Sequence, residues 1–277
     1  MVKLSACIET CFTDLPYAER IRRVAQLGFT AYEFWFHDQR FDGSRLVPEA
    51  KDFDTIDGLN RQLGLVTTDF VFNHPDGGVV ASLIDARDHP RLMDSIGGMI
   101  SRAAKIGCRM LISGSGNKVP GLGRRRALDA MTEALSRLAP ICEQNGVTLI
   151  VEPFNSRVDH PDYFLDDPAT CVDVLRRVNS PSVKMLFDIY HMQIMHGDIL
   201  SFVKENLRWI GHFHVAGVPG RHEPCPSELD YPFILDRIDA MGYAGYVGLE
   251  YWPTGDAASS LRRTMSVLSR GPAEAAP

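Results

Sequence analysis

The chain has 277 residues, of which 45% are hydrophobic and 23% are charged. These proportions are typical of globular proteins and exclude a disordered chain. With 29 Lys and Arg against 35 Asp and Glu, the net charge is −6, which argues against a protein that binds nucleic acid through a basic surface.

The cysteines and the ends of the chain indicate a cytoplasmic protein. None of the six cysteines forms a CxxC pair, and a chain of this length does not need disulfides, so we expect reduced thiols. The first residues, MVKLSACIETCF, contain no long apolar segment that would mark a signal peptide. The sequence also lacks a run of about 18 apolar residues, the length that a membrane-spanning helix needs. We expect one domain over residues 1–270 and a disordered tail over residues 271–277.

Short β-rich segments recur along the chain and predict a series of parallel strands. Several are nearly continuous apolar runs, such as VTLIVE and VKMLFD, which is typical of strands covered on both faces. Strands are expected at residues 3–9, 31–36, 65–72, 109–113, 148–152, 183–188, 209–215 and 246–251. Amphipathic segments between them predict helices at residues 16–27, 87–106, 124–145, 168–178, 198–206, 232–241 and 257–268.

Glycines mark five junctions at which an amphipathic segment gives way to the next strand. A glycine suits the left-handed backbone that ends many helices, and these junctions lie at Gly28, Gly64, Gly107, Gly146 and Gly242. The repeated unit of strand and helix occurs about eight times in about 250 residues. This repetition predicts an α/β fold of the (β/α)8 TIM barrel type, with an open doubly wound sheet as the alternative.

Ionisable residues end four consecutive predicted strands, in the second half of the chain. They are Glu152, Asp188, His214 and Glu250, each after an apolar run. In a TIM barrel the C-terminal strand ends meet at one rim, where these enzymes carry their chemistry. A lone Glu or His at a strand end is more often solvated or salt-bridged, but four in register favour one divalent cation, which takes oxygen ligands and a nitrogen. His212 also lies on this strand face, but His214 is nearer the rim, so we expect His214 to be the ligand.

Two loops contain candidates for substrate binding. The segment 72–78, which includes Asn73, has turn-forming residues and could close over a ligand. The segment SGSGNK ends at Lys118 and could hold an anion through backbone amides, although a plain surface turn explains it equally well. Lys118 and Arg221 are the best candidates for contacting a substrate carboxylate or phosphate. Phe12, Trp35, Phe72 and Trp252 are expected near strand ends, either as walls of the pocket or in ordinary packing.

Several segments of this sequence resemble the xylose-isomerase-like barrels, and within them the hydroxypyruvate isomerases and the ketose 3-epimerases. The similar segments are EPFN at 152–155, FDIYHMQ at 187–193, GHFHVAGVPGRHEP at 211–224 and GLEY at 248–251. The likeness extends over residues 3–265. Trp252 stands where some hydroxypyruvate isomerases have Lys, and His214 where some have Gln, which is closer to the ketose epimerases.

The resemblance implies roles for individual residues. Glu152, Asp188, His214 and Glu250 match the residues that hold one Mn²⁺, Mg²⁺ or Co²⁺ ion in that family. Glu152 and Glu250 also match its acid/base pair. His191 and Arg221 match positions that face substrate oxygens, and Glu223, in the same loop, is expected to hold Arg221 in place.

A cation beside two carboxylates suits proton transfer at a carbon next to a carbonyl, through an enediolate. We therefore expect an isomerase or epimerase of a small carbohydrate or hydroxy-keto acid. A lyase or dehydratase acting on a keto-sugar or keto-inositol could use the same proton abstraction and is the main alternative. An endonuclease is less favoured, because it would need more metal ligands and a basic groove for DNA. A binding protein that has lost catalysis is also less favoured, because it would not need to keep all four ligand residues. Barrels of this kind often form pairs, so a homo-oligomer is compatible with the sequence, which carries no interface signature.

Overall fold

A computed structural model describes residues 2–269 of the chain. In chain order the strands and helices are β1 (Lys3–Cys7), α1 (Tyr17–Gln26), β2 (Ala31–Phe34), β3 (Gln39–Phe41), β4 (Leu46–Pro48), α2 (Phe53–Leu63), β5 (Val66–His74), β6 (Gly77–Gly78), α3 (His89–Lys105), β7 (Met110–Gly114), α4 (Arg124–Asn145), β8 (Thr148–Glu152), α5 (Pro168–Val178), β9 (Val183–Asp188), α6 (Ile189–Met195), α7 (Ile199–Asn206), β10 (Ile210–Val215), α8 (Tyr231–Ala240), β11 (Tyr246–Leu249) and α9 (Ala257–Leu268). The tail that the sequence predicts to be disordered, 271–277, lies outside the described residues.

Eight of the strands form a closed parallel barrel. They pair in the order β2-β1-β11-β10-β9-β8-β7-β5, and β2 also pairs with β5, which completes the ring. The predicted TIM barrel is thus confirmed, and closure excludes the open sheet. Each barrel strand lies within a few residues of a predicted strand.

The five predicted glycine junctions all have a left-handed backbone. Their φ angles are +92° at Gly28, +67° at Gly64, +68° at Gly107, +64° at Gly146 and +93° at Gly242. Residues with a Cβ avoid this region, so glycine lets each helix end sharply and turn into the following strand.

The sequence patterns gave no range for two of the helices. Helix α2 follows Asp52, whose carboxylate accepts the N–H groups of Asp54 and Thr55. Helix α6 begins directly after Asp188, whose carboxylate accepts the N–H of Tyr190. Among residues 2–269, no helix is long and apolar enough to cross a membrane. All six cysteines are free.

A short hairpin after β2 lies beside the C-terminal rim and is fixed by buried charges. Strands β3 and β4 pair antiparallel. The backbone N–H of Phe41 donates to Oε2 of Glu9 at 3.0 Å, and Oε1 of Glu9 lies 2.8 Å from Nζ of Lys51. The ring of Phe41 packs 4.8 Å from that of Trp252 and 6.2 Å from that of Trp35. The hairpin therefore supports an aromatic wall at the rim.

Candidate functional site

The four predicted ligand residues converge at the C-terminal rim. Glu152 ends β8 and Asp188 ends β9. His214 is the residue before the last in β10, and Glu250 directly follows β11. These strands are neighbours in the barrel. One ligand atom from each residue lies within 4.8 Å of the others, and all four side chains are buried. Side chains two residues apart in a strand point to the same face. Ile150 and Leu186, two residues before Glu152 and Asp188, therefore lie one layer below the rim, among the apolar side chains that fill the barrel.

The donor set fits a divalent cation. Oε1 of Glu152, Oδ2 of Asp188 and Nδ1 of His214 are buried and have no hydrogen-bond partner among the described residues. Buried carboxylate oxygens without a partner are costly unless a positive charge is close. Three carboxylates and one imidazole provide the oxygen and nitrogen ligands that Mn²⁺, Mg²⁺ and related ions accept.

Three side chains surround the carboxylate of Glu250. Nε1 of Trp35 donates to Oε1 at 2.5 Å, and Nη2 of Arg221 donates to Oε2 at 2.5 Å. Nδ1 of His214 lies 3.3 Å from Oε2. Arg221 also reaches Asp188, at 3.7 Å between Nη2 and Oδ2. The orientation of this carboxylate is therefore fixed from both sides.

A tight loop between β10 and β11 places Arg221. The residue has a φ of +56°, a conformation that costs free energy for a residue with a Cβ. Its N–H donates to the carbonyl of Gly217 at 2.9 Å, and its carbonyl accepts from the N–H of Trp252 at 2.8 Å. The guanidinium lies 5.3 Å from the centre of the Tyr190 ring. These contacts hold the strained backbone and direct the charge into the site.

The two candidate acid/base residues have pKa values shifted in opposite directions. Burial raises the pKa of Glu152 well above its usual range, and the nearby Glu250 and Asp188 raise it further. Burial also acts on Glu250, but Arg221 and His214 lower the pKa of this carboxyl below its usual range. Burial raises the pKa of Asp188 to about 6, against the opposing effect of Arg221. Such divergence is typical of sites in which two carboxyls exchange protons.

His191 lies beside the cluster, on the helix that follows Asp188. Its side chain is buried. Its Nδ1 is 2.7 Å from Nδ2 of Asn155, and its Nε2 is 3.5 Å from Oδ2 of Asp188. An amide nitrogen can only donate, so Nδ1 accepts and Nε2 carries the proton of the neutral ring. Burial lowers the pKa of His191 well below its usual value, which favours this neutral form.

A cavity of about 110 Å³ opens above Glu152 and Glu250. Its apolar wall is formed by Trp35, Phe36, Leu46, Val71, Ile112 and Phe154. Its other ionisable lining residues are His74, Asp76, His160 and Arg221. Trp252 lies behind Trp35, with 5.9 Å between the ring centroids. His74 ends β5 and lies within the segment 72–78 that the sequence indicated could close over a ligand, whereas no pattern singled out His160, because a histidine in a loop carries no periodic signal.

The side chain of Asn73, a candidate for substrate binding, forms hydrogen bonds within the protein. Nδ2 donates to the carbonyls of Ala81 and Gly114, each at 2.9 Å. Oδ1 accepts from the hydroxyl of Ser113 at 2.6 Å. The side chain is fully buried, and these bonds occupy its polar atoms.

Lys118 and Glu223 also lie away from the cavity. Lys118 is exposed, and its Nζ donates to the carbonyl of Pro161 at 3.3 Å. The carboxylate of Glu223 accepts from the hydroxyls of Ser260, at 2.7 Å, and Thr254, at 3.1 Å. Glu223 therefore ties the loop to the start of α9.

A second polar layer lies beneath the rim. Glu33, Asp69 and His212 are buried there, and each has a ligand atom within 4.8 Å of His214. Nε2 of His212 lies 3.3 Å from both Oε2 of Glu33 and Oδ2 of Asp69. The sequence contains a signal for this layer, since both carboxylates interrupt apolar strands, in AYEF and in TTDFVF.

Comparison with known proteins places the chain among barrels of one kind. Residues 21–270 match the family described as xylose isomerase-like TIM barrel. A Danio rerio protein named "Putative hydroxypyruvate isomerase" is 31% identical, over 94% of this chain and 93% of its own. A 2-oxo-tetronate isomerase of Cupriavidus necator is 29% identical, over 98% of this chain and 100% of its own. A crystal structure titled AP endonuclease, family 2, from Brucella melitensis superposes with a TM-score of 0.84 at 31% identity, covering 94% of this chain and 97% of the other.

Proposed function

The chain belongs to the xylose isomerase-like TIM barrel family, and from this membership and its site we propose that it isomerises or epimerises a small hydroxy-ketone or hydroxy-keto acid. We propose further that the reaction depends on one divalent cation, Mn²⁺, Mg²⁺ or Co²⁺, and that Glu152 and Glu250 are its acid/base residues. A location in the cytoplasm completes the proposal.

The names of the relatives support this class of substrate. Hydroxypyruvate and 2-oxo-tetronate, after which they are named, both carry a carbonyl next to a carbon with a hydroxyl group. A cavity of about 110 Å³ suits such small molecules. The Brucella melitensis protein is named for a different activity, but a small cavity and a net charge of −6 suit a small molecule better than DNA.

One observation carries the proposal: two buried carboxylates from different strands approach the same imidazole beneath the cavity. Nδ1 of His214 lies 3.8 Å from Oε1 of Glu152 and 3.3 Å from Oε2 of Glu250. These three residues and Asp188 would hold the cation. When bound, a divalent cation supplies positive charge that polarises a carbonyl and the adjacent hydroxyl.

The side chains of this site have separate tasks in the proposed reaction. One glutamate removes the proton from the carbon next to the carbonyl, and the same or the opposite glutamate returns it. Return at the neighbouring carbon, with the hydroxyl proton passing from one oxygen to the other, isomerises the substrate, whereas return to the same carbon on its opposite face epimerises it. Arg221 and the Nε2–H of His191 face the cluster and can bind substrate oxygens or a carboxylate. The apolar wall excludes water from the reacting carbon.

The experiment is a proton-exchange screen by NMR in D₂O. Hydroxypyruvate, 2-oxo-tetronate and a ketohexose are each incubated with the protein and Mg²⁺. We expect deuterium to enter at one carbon next to a carbonyl as an isomer forms, and we expect EDTA to stop the reaction. Loss of water from the substrate would instead identify a dehydratase. Unchanged spectra for every compound, with both Mg²⁺ and Mn²⁺, would contradict the proposal.

A further inference from the structure

The imidazole of His214 lies between two groups of carboxylates. On the rim side, Nδ1 faces Glu250 at 3.3 Å and Glu152 at 3.8 Å. On the inner side, Nε2 lies 3.2 Å from Oε1 of Glu33. The side chains of His214 and Glu33 are each 2% exposed, so water does not compete for this contact. The ring thus connects the rim to the polar layer beneath it.

Glu33 is itself held in place. Its Oε2 accepts from the hydroxyl of Thr68 at 3.2 Å, and that hydroxyl lies 3.0 Å from Oγ of Ser5. Nε2 of His212 approaches the same Oε2 at 3.3 Å. These contacts leave Oε1 directed at His214.

Glycine in β11 makes room for the approach of Glu33 to His214. A Cβ at Gly248 would lie 2.1 Å from Oε1 of Glu33 and 2.6 Å from Cδ2 of His214. Side-chain atoms do not approach so closely, so any other residue at position 248 would displace one partner. The close approach is therefore built by three strands: β2 supplies Glu33, β10 supplies His214 and β11 leaves the space.

We propose that Glu33 is a positioning residue for the cation site: its carboxylate, 3.2 Å from Nε2 of His214, keeps the proton of that ring on Nε2 and so directs the Nδ1 lone pair towards Glu152 and Glu250. A neutral imidazole has one donor and one acceptor nitrogen, so fixing the proton on Nε2 makes Nδ1 the ligand. A carboxylate behind a metal-binding histidine also fixes the ring orientation and raises its basicity. This inference rests on the cation site of the proposed function.

The inner residues could also be imagined as a second cation site, because Glu33, Asp69, His212 and His214 offer ligand atoms within 4.8 Å of one another. That arrangement would use Nε2 of His214 as a ligand while Nδ1 serves the rim. The ring would then have to lose its one N–H proton and become an imidazolate, which a neutral imidazole does not do readily. The geometry favours one cation with Glu33 behind its histidine.

The test is a Mn²⁺ titration of the full chain, read by calorimetry and by EPR of free Mn²⁺. Glu33→Asp keeps the charge but shortens the side chain, and Glu33→Gln keeps the length but removes the charge. We expect one Mn²⁺ per wild-type chain and a Kd that rises about 10- to 100-fold in each variant. Co²⁺ absorption should change in the same variants, since it reports on the ligand geometry.

Asp167→Ala is the control. The carboxylate of Asp167 caps α5 by accepting from the N–H groups of Ala169 and Thr170, and it belongs to neither group of carboxylates around His214. Its variant should lower the melting temperature but leave the Mn²⁺ Kd unchanged, which separates loss of stability from loss of positioning. Circular dichroism shows whether each variant is folded. If Glu33→Gln does not fold, the test rests on Glu33→Asp.

The outcomes distinguish this inference from the proposed function. No Mn²⁺ binding by the wild type would overturn the cation site itself. Wild-type affinity in a folded Glu33→Asp variant would overturn the role of Glu33 and leave the proposed function intact. Two Mn²⁺ per wild-type chain, falling to one in Glu33→Gln, would replace this role with a second cation site.

Discussion

The indole of Trp35 donates a 2.5 Å hydrogen bond to Oε1 of Glu250, although the two residues lie 215 positions apart in the chain. Trp35 follows β2, and Glu250 follows β11. The ring of Trp35 also packs against Phe41 of the hairpin and against Trp252. The orientation of a proposed acid/base residue thus depends on an aromatic cluster at the rim.

We predict that Trp35→Phe slows turnover more than it weakens binding. Phenylalanine keeps the aromatic packing but leaves Oε1 of Glu250 without its donor. A hydrogen bond to a charged group contributes about 1.5–3 kcal/mol, so kcat should fall about 10- to 100-fold with little change in KM. Steady-state kinetics on the substrate found by the exchange screen measure this. An unchanged kcat would show that Arg221 alone orients the carboxylate.

Replacing Glu250 itself should abolish turnover in a folded protein. Glu250→Gln keeps the shape of the side chain but removes the proton acceptor, and general acid–base groups contribute about 10²- to 10⁴-fold. We expect a loss of at least about 100-fold in deuterium incorporation. Glu143→Gln, at an exposed glutamate that accepts from Ser180, is the control and should keep full activity. Substantial exchange by Glu250→Gln would end its assignment as an acid/base residue.

The sequence was sufficient to predict the barrel and the convergence of four ionisable residues at its rim, because both follow from local rules. Apolar runs mark the strands, and the topology of a parallel barrel then brings the last residues of neighbouring strands together. The four ligand candidates needed no knowledge of loops. Their convergence within 4.8 Å agrees with that reasoning.

Loop geometry could not be predicted in the same way. Glu223 lies two residues from Arg221, yet its carboxylate binds Thr254 and Ser260. Arg221, which has a left-handed backbone, contacts Glu250 instead. The hairpin of β3 and β4 also gave no pattern, since strands of three residues are too short to show a period. Its position depends on the buried pair of Glu9 and Lys51, which is formed only in the folded chain.

Cation binding should stabilise the folded protein. A ligand that binds only the folded state adds about 2.7 kcal/mol at a hundred times its Kd, so Mn²⁺ should raise the melting temperature. Asp188→Asn removes one ligand and should greatly reduce that rise. Asp173→Asn, at an exposed aspartate paired with Arg176 on α5, should keep the full rise. Thermal unfolding with Mn²⁺ and with EDTA measures the difference, and an equal rise in both variants would exclude Asp188 as a ligand.

Two glycine-to-alanine substitutions should change stability in opposite directions. At Gly248 the added methyl would lie 2.1 Å from Glu33, and such overpacking costs about 1–3 kcal/mol. Gly97 is exposed within α3 and has no neighbour within 4 Å of its Cβ position. Alanine there should stabilise the helix by about 0.5–1 kcal/mol. Urea unfolding gives both values, and a neutral Gly248→Ala would show that Glu33 and His214 can separate freely.

Acidification should destabilise the protein partly through His160. Burial, with help from Arg221 and His74, lowers the pKa of His160 to about 4 from 6.5. Between these pH values the unfolded chain binds a proton that the folded protein does not, so stability falls as the pH decreases through this window. At pH 4.5 the expected contribution is about 2 kcal/mol. His160→Phe keeps the stacking on Phe154, which has a centroid distance of 4.4 Å in the wild type, but cannot bind the proton. Urea unfolding at pH 7 and pH 4.5 should therefore show a smaller loss for the variant than for the wild type. Equal losses would mean that His160 takes up its proton without unfolding, through opening of the cavity wall.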